Sequence, residues 1–255
     1  MKQMKRIILL ISCLMLAGFV SAQEFTETHT NKTDAKGRKQ GHWRVFDTNG
    51  NIKMEGNYVD GNPQGQFDYF YPDGHKKAVI LNYDNGKVAY ATLYHPNGNL
   101  MAKGKYLNQQ KDSLWNYYDQ DEGKLVSEEF YKQGKIEGVA KTFYPTGQIA
   151  EEQTYKNGLK DGPWAQYFTD GALKGKGEFK DGKPAGMYIL YHLNGNVQVS
   201  GKYVDGEKDG PWIYLTRIGE LEKKEIYDKG NLVSEQTMDV KADPNVKKVE
   251  HEEDK

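Results

Sequence analysis

The sequence predicts an all-β fold, an elongated and twisted array of stacked antiparallel β-hairpins. Three observations predict it. The same residue pattern returns every 24 residues, turn sequences that contain glycine separate short segments, and those segments are rich in tyrosine, phenylalanine, tryptophan and valine. No window of helix length in this region places apolar residues at the period of about 3.6 residues that an amphipathic helix needs. Long helices are therefore not expected in the repeated region.

The repeated unit occurs in eight copies between Gly41 and about Val233. The copies begin at residues 41, 65, 89, 113, 138, 162, 186 and 210. The first position is glycine in six of them, and Ala89 and Ser113 replace it in the third and fourth copies. Later in each unit, sequences such as Pro-Asp-Gly at 72–74 predict a tight turn, because proline presets φ and glycine accepts a positive φ. Each copy is therefore predicted to be one hairpin.

A large aromatic residue occupies the third position of six copies, here called the ring slot. Its occupants are Trp43, Phe67, Trp115, Trp164, Tyr188 and Trp212. All four tryptophans of the chain lie in this slot, which predicts a shaped packing site in the structural core. A second aromatic residue usually follows three positions later, so a regular strand would place the two on opposite faces. We expect either a bulge between the two positions or aromatic residues on both faces.

Glycine recurs on the second strand of the predicted hairpin, two residues before an aromatic residue. These glycines are Gly56, Gly104, Gly177 and Gly201. A missing side chain in a strand is typical of a close approach by a neighbouring group. We expect the ring slot of a neighbouring strand to fill this space.

Residues 1–22 resemble an export signal: Lys2, Lys5 and Arg6 are followed by an apolar run and by small residues up to Ala22. Cleavage near Ala22 would make the protein periplasmic or secreted. A retained N-terminal anchor and a lipoprotein attached through Cys13 are the alternatives. We favour cleavage, because the apolar run is short for a membrane span and the chain stays apolar after Cys13.

The mature chain is predicted to have three parts. Residues 23–40 form a polar linker, 41–233 the repeat domain, and 234–255 a charged, disordered tail. Cleavage after Ala22 leaves no cysteine and changes the formal net charge from −1 to −4. No basic stripe remains, so nucleic acid is not expected as a partner. No transmembrane span is expected in the mature chain.

The sequence offers no candidate catalytic residue, metal ligand or cofactor site. No two of the six histidines have the spacing of metal ligands, and His75, His95 and His192 lie in or beside predicted turns as solvated residues. The motifs of zinc proteases, serine hydrolases and thiol redox proteins do not occur. The protein is therefore predicted not to be an enzyme.

Exposed aromatic side chains are the candidate binding residues. A single sheet has little to cover its faces, so rings at the parity opposite the ring slot or in extra positions would be partly exposed. Tyr69, Tyr117 and Tyr214 are the candidates for partner binding. The alternative, which we favour for any single tyrosine, is a cross-strand ladder of rings that holds the sheet together.

The segments YKNGLKDGPW at 155–164 and YVDGEKDGPW at 203–212 resemble MORN repeats. The fuller unit, G-x-W-x-x-Y, then x-x-x-G-x-L, then Y-x-x-G, is similar to the bacterial MORN-repeat variant, which is often labelled antitoxin-type. The resemblance covers residues 41–233, with degenerate third and fourth copies, and lacks the close Gly-x-Gly spacing of eukaryotic MORN proteins. It implies stacked hairpins and a role in protein–protein contact or membrane-proximal assembly.

Three functions are consistent with these observations. The first is an exported, non-catalytic repeat scaffold that binds another protein at the cell envelope. The second is an antitoxin or immunity-like protein that neutralises a toxin, although the antitoxin label implies a cytoplasmic partner and the export signal argues against one. The third is a carbohydrate or cell-wall binding module that uses aromatic rings as stacking platforms.

Overall fold

The computed structural model describes residues 30–84 and 86–239, and the chain divides into two compact units, residues 1–86 and 87–255. In both units the described residues form antiparallel strands joined by tight turns, and they contain no helix. The predicted all-β stack of hairpins is thus confirmed within each unit. None of the described segments is a helix long and apolar enough to cross a membrane.

Unit 1 holds five strands, and each pairs with the next one along the chain. They are β1 (Lys32–Thr33), β2 (Lys39–Phe46), β3 (Ile52–Val59), β4 (Asn62–Phe70) and β5 (Lys77–Tyr83).

Unit 2 holds fourteen strands. They are β6 (Val88–Tyr94), β7 (Leu100–Leu107), β8 (Gln110–Tyr118), β9 (Leu125–Lys132), β10 (Lys135–Ile136), β11 (Gly138–Phe143), β12 (Ile149–Lys156), β13 (Leu159–Tyr167), β14 (Leu173–Lys180), β15 (Lys183–Tyr191), β16 (Val197–Val204), β17 (Glu207–Leu215), β18 (Leu221–Asp228) and β19 (Asn231–Thr237). Successive strands pair, except that β10 and β11 both pair with β9 as two halves of one interrupted strand. The interruption is Glu137, whose amide N donates to the carbonyl O of Phe130 at 2.8 Å.

Strand structure extends beyond the predicted repeat bounds of 41 and 233. The segment expected to be a linker contains β1 and the start of β2, and β19 continues to Thr237 in the expected tail. The first extension has a clear cause. The backbone N of Asn31 donates to the carbonyl O of His42 at 2.9 Å, and its side-chain amide bonds both backbone groups of Arg44 at 2.8 Å. The predicted signal peptide, 1–22, and residues 240–255 lie outside the described residues.

A bulge lies between the two aromatic positions of the first strand, which confirms one of the two expected alternatives. In the β13–β14 pair, Gln166 opposes Gly175 and Tyr167 opposes Leu173, so Lys174 on the partner strand is left over. The same shift recurs in the other hairpins, for example between Val45 and Phe46. The extra residue lets the strand keep the ring slot on the buried face and start the turn soon after.

A second bulge surrounds the first position of each copy. Between the pairs Gln153–Trp164 and Tyr155–Lys160, β12 has one residue and β13 has three. The first-position residue lies in this bulge and has a positive φ in seven of the eight copies. These residues are Gly41, Gly65, Ser113, Gly138, Gly162, Gly186 and Gly210. The first-position glycines therefore allow a bulge rather than a turn, a role that the sequence did not reveal.

Ser113 is the one residue with a side chain among these seven, with φ of 62°. We expect Ser113→Gly to stabilise the chain by about 0.5–1 kcal/mol, because glycine adopts this conformation without the steric cost of a Cβ. Urea unfolding would measure the change, with Ser113→Ala as the control for the lost hydroxyl. A glycine variant no more stable than the alanine variant would contradict this account of the bulge.

The core lies on one face of the sheet, here called the ring face. The most deeply buried large side chains are Trp115, Trp212, Phe67 and Leu81. The first three occupy the ring slot, and Leu81 opposes Phe67 across the β4–β5 pair. The predicted packing role of the ring slot thus accounts for the core.

Candidate functional site

A continuous row of aromatic rings covers the ring face of unit 1. The ring centroids of Trp43 and Tyr58 are 6.0 Å apart, those of Tyr58 and Phe67 5.0 Å, and those of Phe67 and Tyr83 5.2 Å. All three contacts are edge-to-face, the arrangement that aromatic quadrupoles favour. Second-strand tyrosines therefore connect the ring-slot side chains of neighbouring copies.

Glycine makes room for these rings. A Cβ added at Gly104 would lie 2.1 Å from Cδ2 of Trp115, closer than any real side chain allows. The same relation, with longer distances in one case, holds for the pairs Gly56–Phe67, Gly177–Tyr188 and Gly201–Trp212. The expected clearance for the ring of the next copy is confirmed.

The aromatic row of unit 2 has a break at Ala140. On one side the row runs through Tyr106, Trp115 and Tyr131, and on the other it begins at Trp164. It continues through the contacts Trp164–Tyr188, Tyr188–Tyr203, Tyr203–Trp212 and Trp212–Tyr227. Within the described part of the chain, no ring contact joins Tyr131 to Trp164. The ring slot that would connect them holds alanine.

The candidate binding tyrosines Tyr69, Tyr117 and Tyr214 lie two residues after the ring slot and so share its face. The expected partial exposure is wrong for Tyr117, which is 3% exposed because the ring of Trp115 stacks on it with centroids 6.3 Å apart. Burial raises the pKa of all three phenols. Their role in binding a partner stays a prediction.

Glu225 is the centre of a buried polar cluster near the end of unit 2. Its Oε2 accepts hydrogen bonds from the hydroxyls of Tyr214 at 2.6 Å and Tyr227 at 3.0 Å, and its Oε1 accepts from Lys223 Nζ at 2.6 Å. Lys208 Nζ lies 3.8 Å from Oε2. Burial opposes ionisation, but the hydrogen bonds outweigh it and lower the pKa of Glu225 to about 2. Glu225 occupies the position that is glycine in other copies.

A related cluster surrounds Lys111. Its Nζ lies 4.5 Å, 4.9 Å and 4.8 Å from the ring centroids of Trp115, Tyr117 and Tyr131. The hydroxyl of Tyr131 donates to Glu129 Oε2 at 2.6 Å. Burial lowers the pKa of Lys111 to about 8, although the charge of Glu129 opposes the shift. Glu129, like Glu225, stands where other copies have glycine.

Exposed apolar side chains form a row on the opposite face of unit 2. Leu114, Phe130 and Val139 are 48%, 45% and 49% exposed. Leu114 opposes Phe130 in the β8–β9 pair, and Val139 lies on β11, which also pairs with β9. We call these three residues the apolar row. They are not among the predicted binding residues, although exposure of residues at the parity opposite the ring slot was expected.

Two histidines connect neighbouring copies instead of being solvated turn residues. The Nε2 atoms of His95 and His192 lie 3.1 Å and 2.9 Å from the carbonyl oxygens of Tyr118 and Leu215, in the turn region of the next hairpin. The expectation of solvated histidines is wrong here because the turns of successive hairpins lie side by side. The described residues hold no group of three or more His, Cys, Asp or Glu side chains placed to bind a metal ion.

A family model described as MORN repeat variant matches residues 39–60, 87–108, 136–157 and 160–181. The chain is a MORN-repeat protein. The matched segments correspond to the first, third, fifth and sixth of the 24-residue copies. MORN repeats fit an interaction scaffold for proteins or membranes.

No curated protein matches the MORN chain. Among solved structures, a mutant of S. aureus TarM in complex with fondaparinux, alpha-GlcNAc-glycerol and UDP is 12% identical, with a TM-score of 0.28 over 38% of this chain and 19% of TarM. ASR alternansucrase in complex with isomaltononaose is 20% identical, with a TM-score of 0.21 over 74% of this chain and 15% of that one. The TcdB2-TccC3-TEV structure is 12% identical, with a TM-score of 0.20 over 75% and 13%. The MORN chain spans less than a fifth of each.

Proposed function

We propose that the chain is an exported, non-catalytic repeat scaffold that binds another protein at the cell envelope. The observation that carries the proposal is the apolar row of Leu114, Phe130 and Val139 on adjacent strands. Three neighbouring apolar side chains left about half exposed are typical of an interaction surface. Phenylalanine at the centre of such a patch is a typical anchor, because it buries a large apolar area when a partner covers it.

Charged residues border the apolar row, as expected for a protein interface. Lys141 opposes Glu128 on β9 and Glu152 on β12, two positions along the strands from the row and on the same face. The Nζ of Lys141 lies 3.5 Å from Glu152 Oε1. An apolar centre with a polar rim favours a protein partner, since interfaces exclude charge from their centre and keep it at the border.

Site-specific cross-linking would test this surface. A photoreactive residue at Leu114 or Phe130 in the full chain, expressed in its own host, is expected to capture one and the same protein, identified by mass spectrometry. The same probe at Ile218, an exposed apolar residue in a turn, is the matched control and should not capture it. The Phe130→Asp variant should lose the captured partner and keep its circular dichroism spectrum. Equal capture from Phe130 and Ile218 would contradict the proposed surface.

Export is supported by the basic, apolar and small-residue order of residues 1–22 and by the lack of cysteine after Cys13. N-terminal sequencing of the protein from the cell envelope is expected to begin at Gln23. A chain that keeps Met1 in the membrane, or a lipid on Cys13, would instead support one of the two alternatives. A toxin as the cross-linked partner would favour the immunity-like function, and binding to polysaccharide without any protein partner would favour the carbohydrate module.

A further inference from the structure

The break in the aromatic row of unit 2 exchanges large and small side chains. In regular copies a ring occupies the slot and glycine lies on the neighbouring strand. In the fifth copy the slot holds Ala140, and the neighbouring strands carry Glu129 and Gln153. The ring face there has polar side chains in place of a ring.

The gap beside Ala140 stays open, in contrast to the other copy with alanine in the slot. In the third copy, Ala91 is 4% exposed and the preceding glycine position holds Leu81, which is 1% exposed. Leucine there supplies the apolar volume that the missing ring would have filled. Ala140 remains partly exposed, so its slot is accessible from solvent.

Gln153 places an unpaired acceptor at this gap. Its side chain lies between Ala140 and Trp164 on adjacent strands and is 2% exposed. The Nε2 atom donates to the carbonyl O of Thr154 at 2.9 Å, which sets the orientation of the amide. The Oε1 atom has no hydrogen-bond partner. A buried acceptor without a donor costs about 1–3 kcal/mol, so a ligand that donates there would recover that free energy.

Two carboxylates border the same gap. Glu129 lies beside Ala140, and Glu151 lies two residues before Gln153 on the same face of β12. Burial, followed by the charges of Glu129 and Glu151, raises the pKa of Tyr155, which places both carboxylates near this phenol. The gap is therefore rich in acceptors and negative charge.

The cluster at Glu225 shows what the Glu129 cluster lacks. Lys223 lies two residues before Glu225, and its Nζ bonds Oε1 at 2.6 Å while lying 4.4 Å from the ring centroid of Tyr214. The residue two positions before Glu129 is Ser127, which carries no positive charge. The fifth copy therefore has the carboxylate without this ammonium group.

We propose that the gap at Ala140 binds a guanidinium group, the arginine side chain of a partner protein. A guanidinium has five N–H donors and no acceptor, which suits a lining of acceptors such as Glu129 and Gln153 Oε1. Its flat face also suits Trp164, whose ring stacks on Tyr188 on one side, with an interplanar angle of 8°, and has Gln153 as its neighbour on the preceding strand. That the arginine belongs to a protein rests on the proposed function; the recognition of a guanidinium does not.

Titration of the full chain with Nα-acetyl-L-arginine amide tests the proposal. The indole N–H signal of Trp164, assigned with a Trp164→Phe variant, is expected to shift and saturate in nuclear magnetic resonance spectra. The neutral citrulline analogue, which has the same shape without the charge, is expected to leave the signal unchanged. An equal shift with citrulline, a shift with maltohexaose instead, or no shift with the arginine probe would each overturn the assignment.

Matched variants locate the site. Glu129→Gln is expected to weaken binding of the arginine probe about tenfold, since it removes the charge and keeps the shape. Ala140→Leu, which copies Leu81 by filling the gap, is expected to abolish binding. Glu152→Gln removes a charge from the opposite face of β12 and should leave binding unchanged. Equal weakening by Glu129→Gln and Glu152→Gln would overturn the site, whereas cross-linking at Phe130 tests the proposed function separately.

Discussion

Replacing Gly104 by alanine is expected to destabilise unit 2 by about 3 kcal/mol or more, as overpacking of a rigid core does. The added Cβ would lie 2.1 Å from Cδ2 and 2.2 Å from Cε2 of Trp115. The indole is fully buried, and its Nε1 donates to the carbonyl O of Lys105 at 3.0 Å, so the ring cannot move aside without losing this bond. Urea unfolding followed by tryptophan fluorescence would measure the loss.

Gly177 provides the matched control, because it has the same place in the sixth copy and a looser neighbour. A Cβ there would lie 3.2 Å from Cδ2 of Tyr188. We expect Gly177→Ala to cost about 1 kcal/mol or less, since a shift of a few tenths of an ångström removes the contact. Equal losses for Gly104→Ala and Gly177→Ala would show that ring clearance does not set the requirement for glycine.

A compensating pair extends the same prediction. The chain itself uses leucine with alanine, at Leu81 and Ala91, in place of glycine with a ring. We therefore expect the double variant Gly104→Leu, Trp115→Ala to be more stable than Gly104→Leu alone by about 1–3 kcal/mol, as directly contacting residues couple. Additive losses in the double-mutant cycle would contradict direct packing between these two positions.

The hairpins and the ring slot could be predicted because their signals are local and repeated. Turn glycines and alternating residues specify each hairpin within one 24-residue unit. The confinement of all four tryptophans to one slot then identifies the buried face, as the burial of Trp115 and Trp212 confirms. The ring clearance at Gly104 followed from the same alternation.

The candidate surfaces depend on features that a single unit does not contain. Two bulges per hairpin shift the register, so parity counted along one strand does not carry over to its neighbour. This is why the apolar row at Phe130 was missed and why Tyr117 was expected at the surface. The gap at Ala140 likewise arises from three adjacent strands, since its lining includes Glu129 and Gln153.

Neutralising Glu225 is expected to destabilise unit 2 by about 2 kcal/mol at neutral pH, with an effect that vanishes in acid. The variant Glu225→Gln keeps the shape and loses the charge that Lys223 and Tyr214 bond. A fall in pKa from 4.5 to about 2 corresponds to roughly 3 kcal/mol, and we discount it because Lys223 is partly exposed and solvent screens its charge.

The direction of the pH dependence follows from where the proton binds more tightly. Folding lowers the pKa of Glu225, so the unfolded chain takes up the proton first, and the stabilisation present above about pH 4.5 is lost as the pH falls towards 2. Wild type and Glu225→Gln should therefore differ in urea unfolding at pH 7 and converge near pH 2. Glu222→Gln, at an exposed position of β18, is the control and should change stability by less than about 0.5 kcal/mol at either pH. A difference between wild type and Glu225→Gln that persists at pH 2 would mean that shape rather than charge makes Glu225 stabilising.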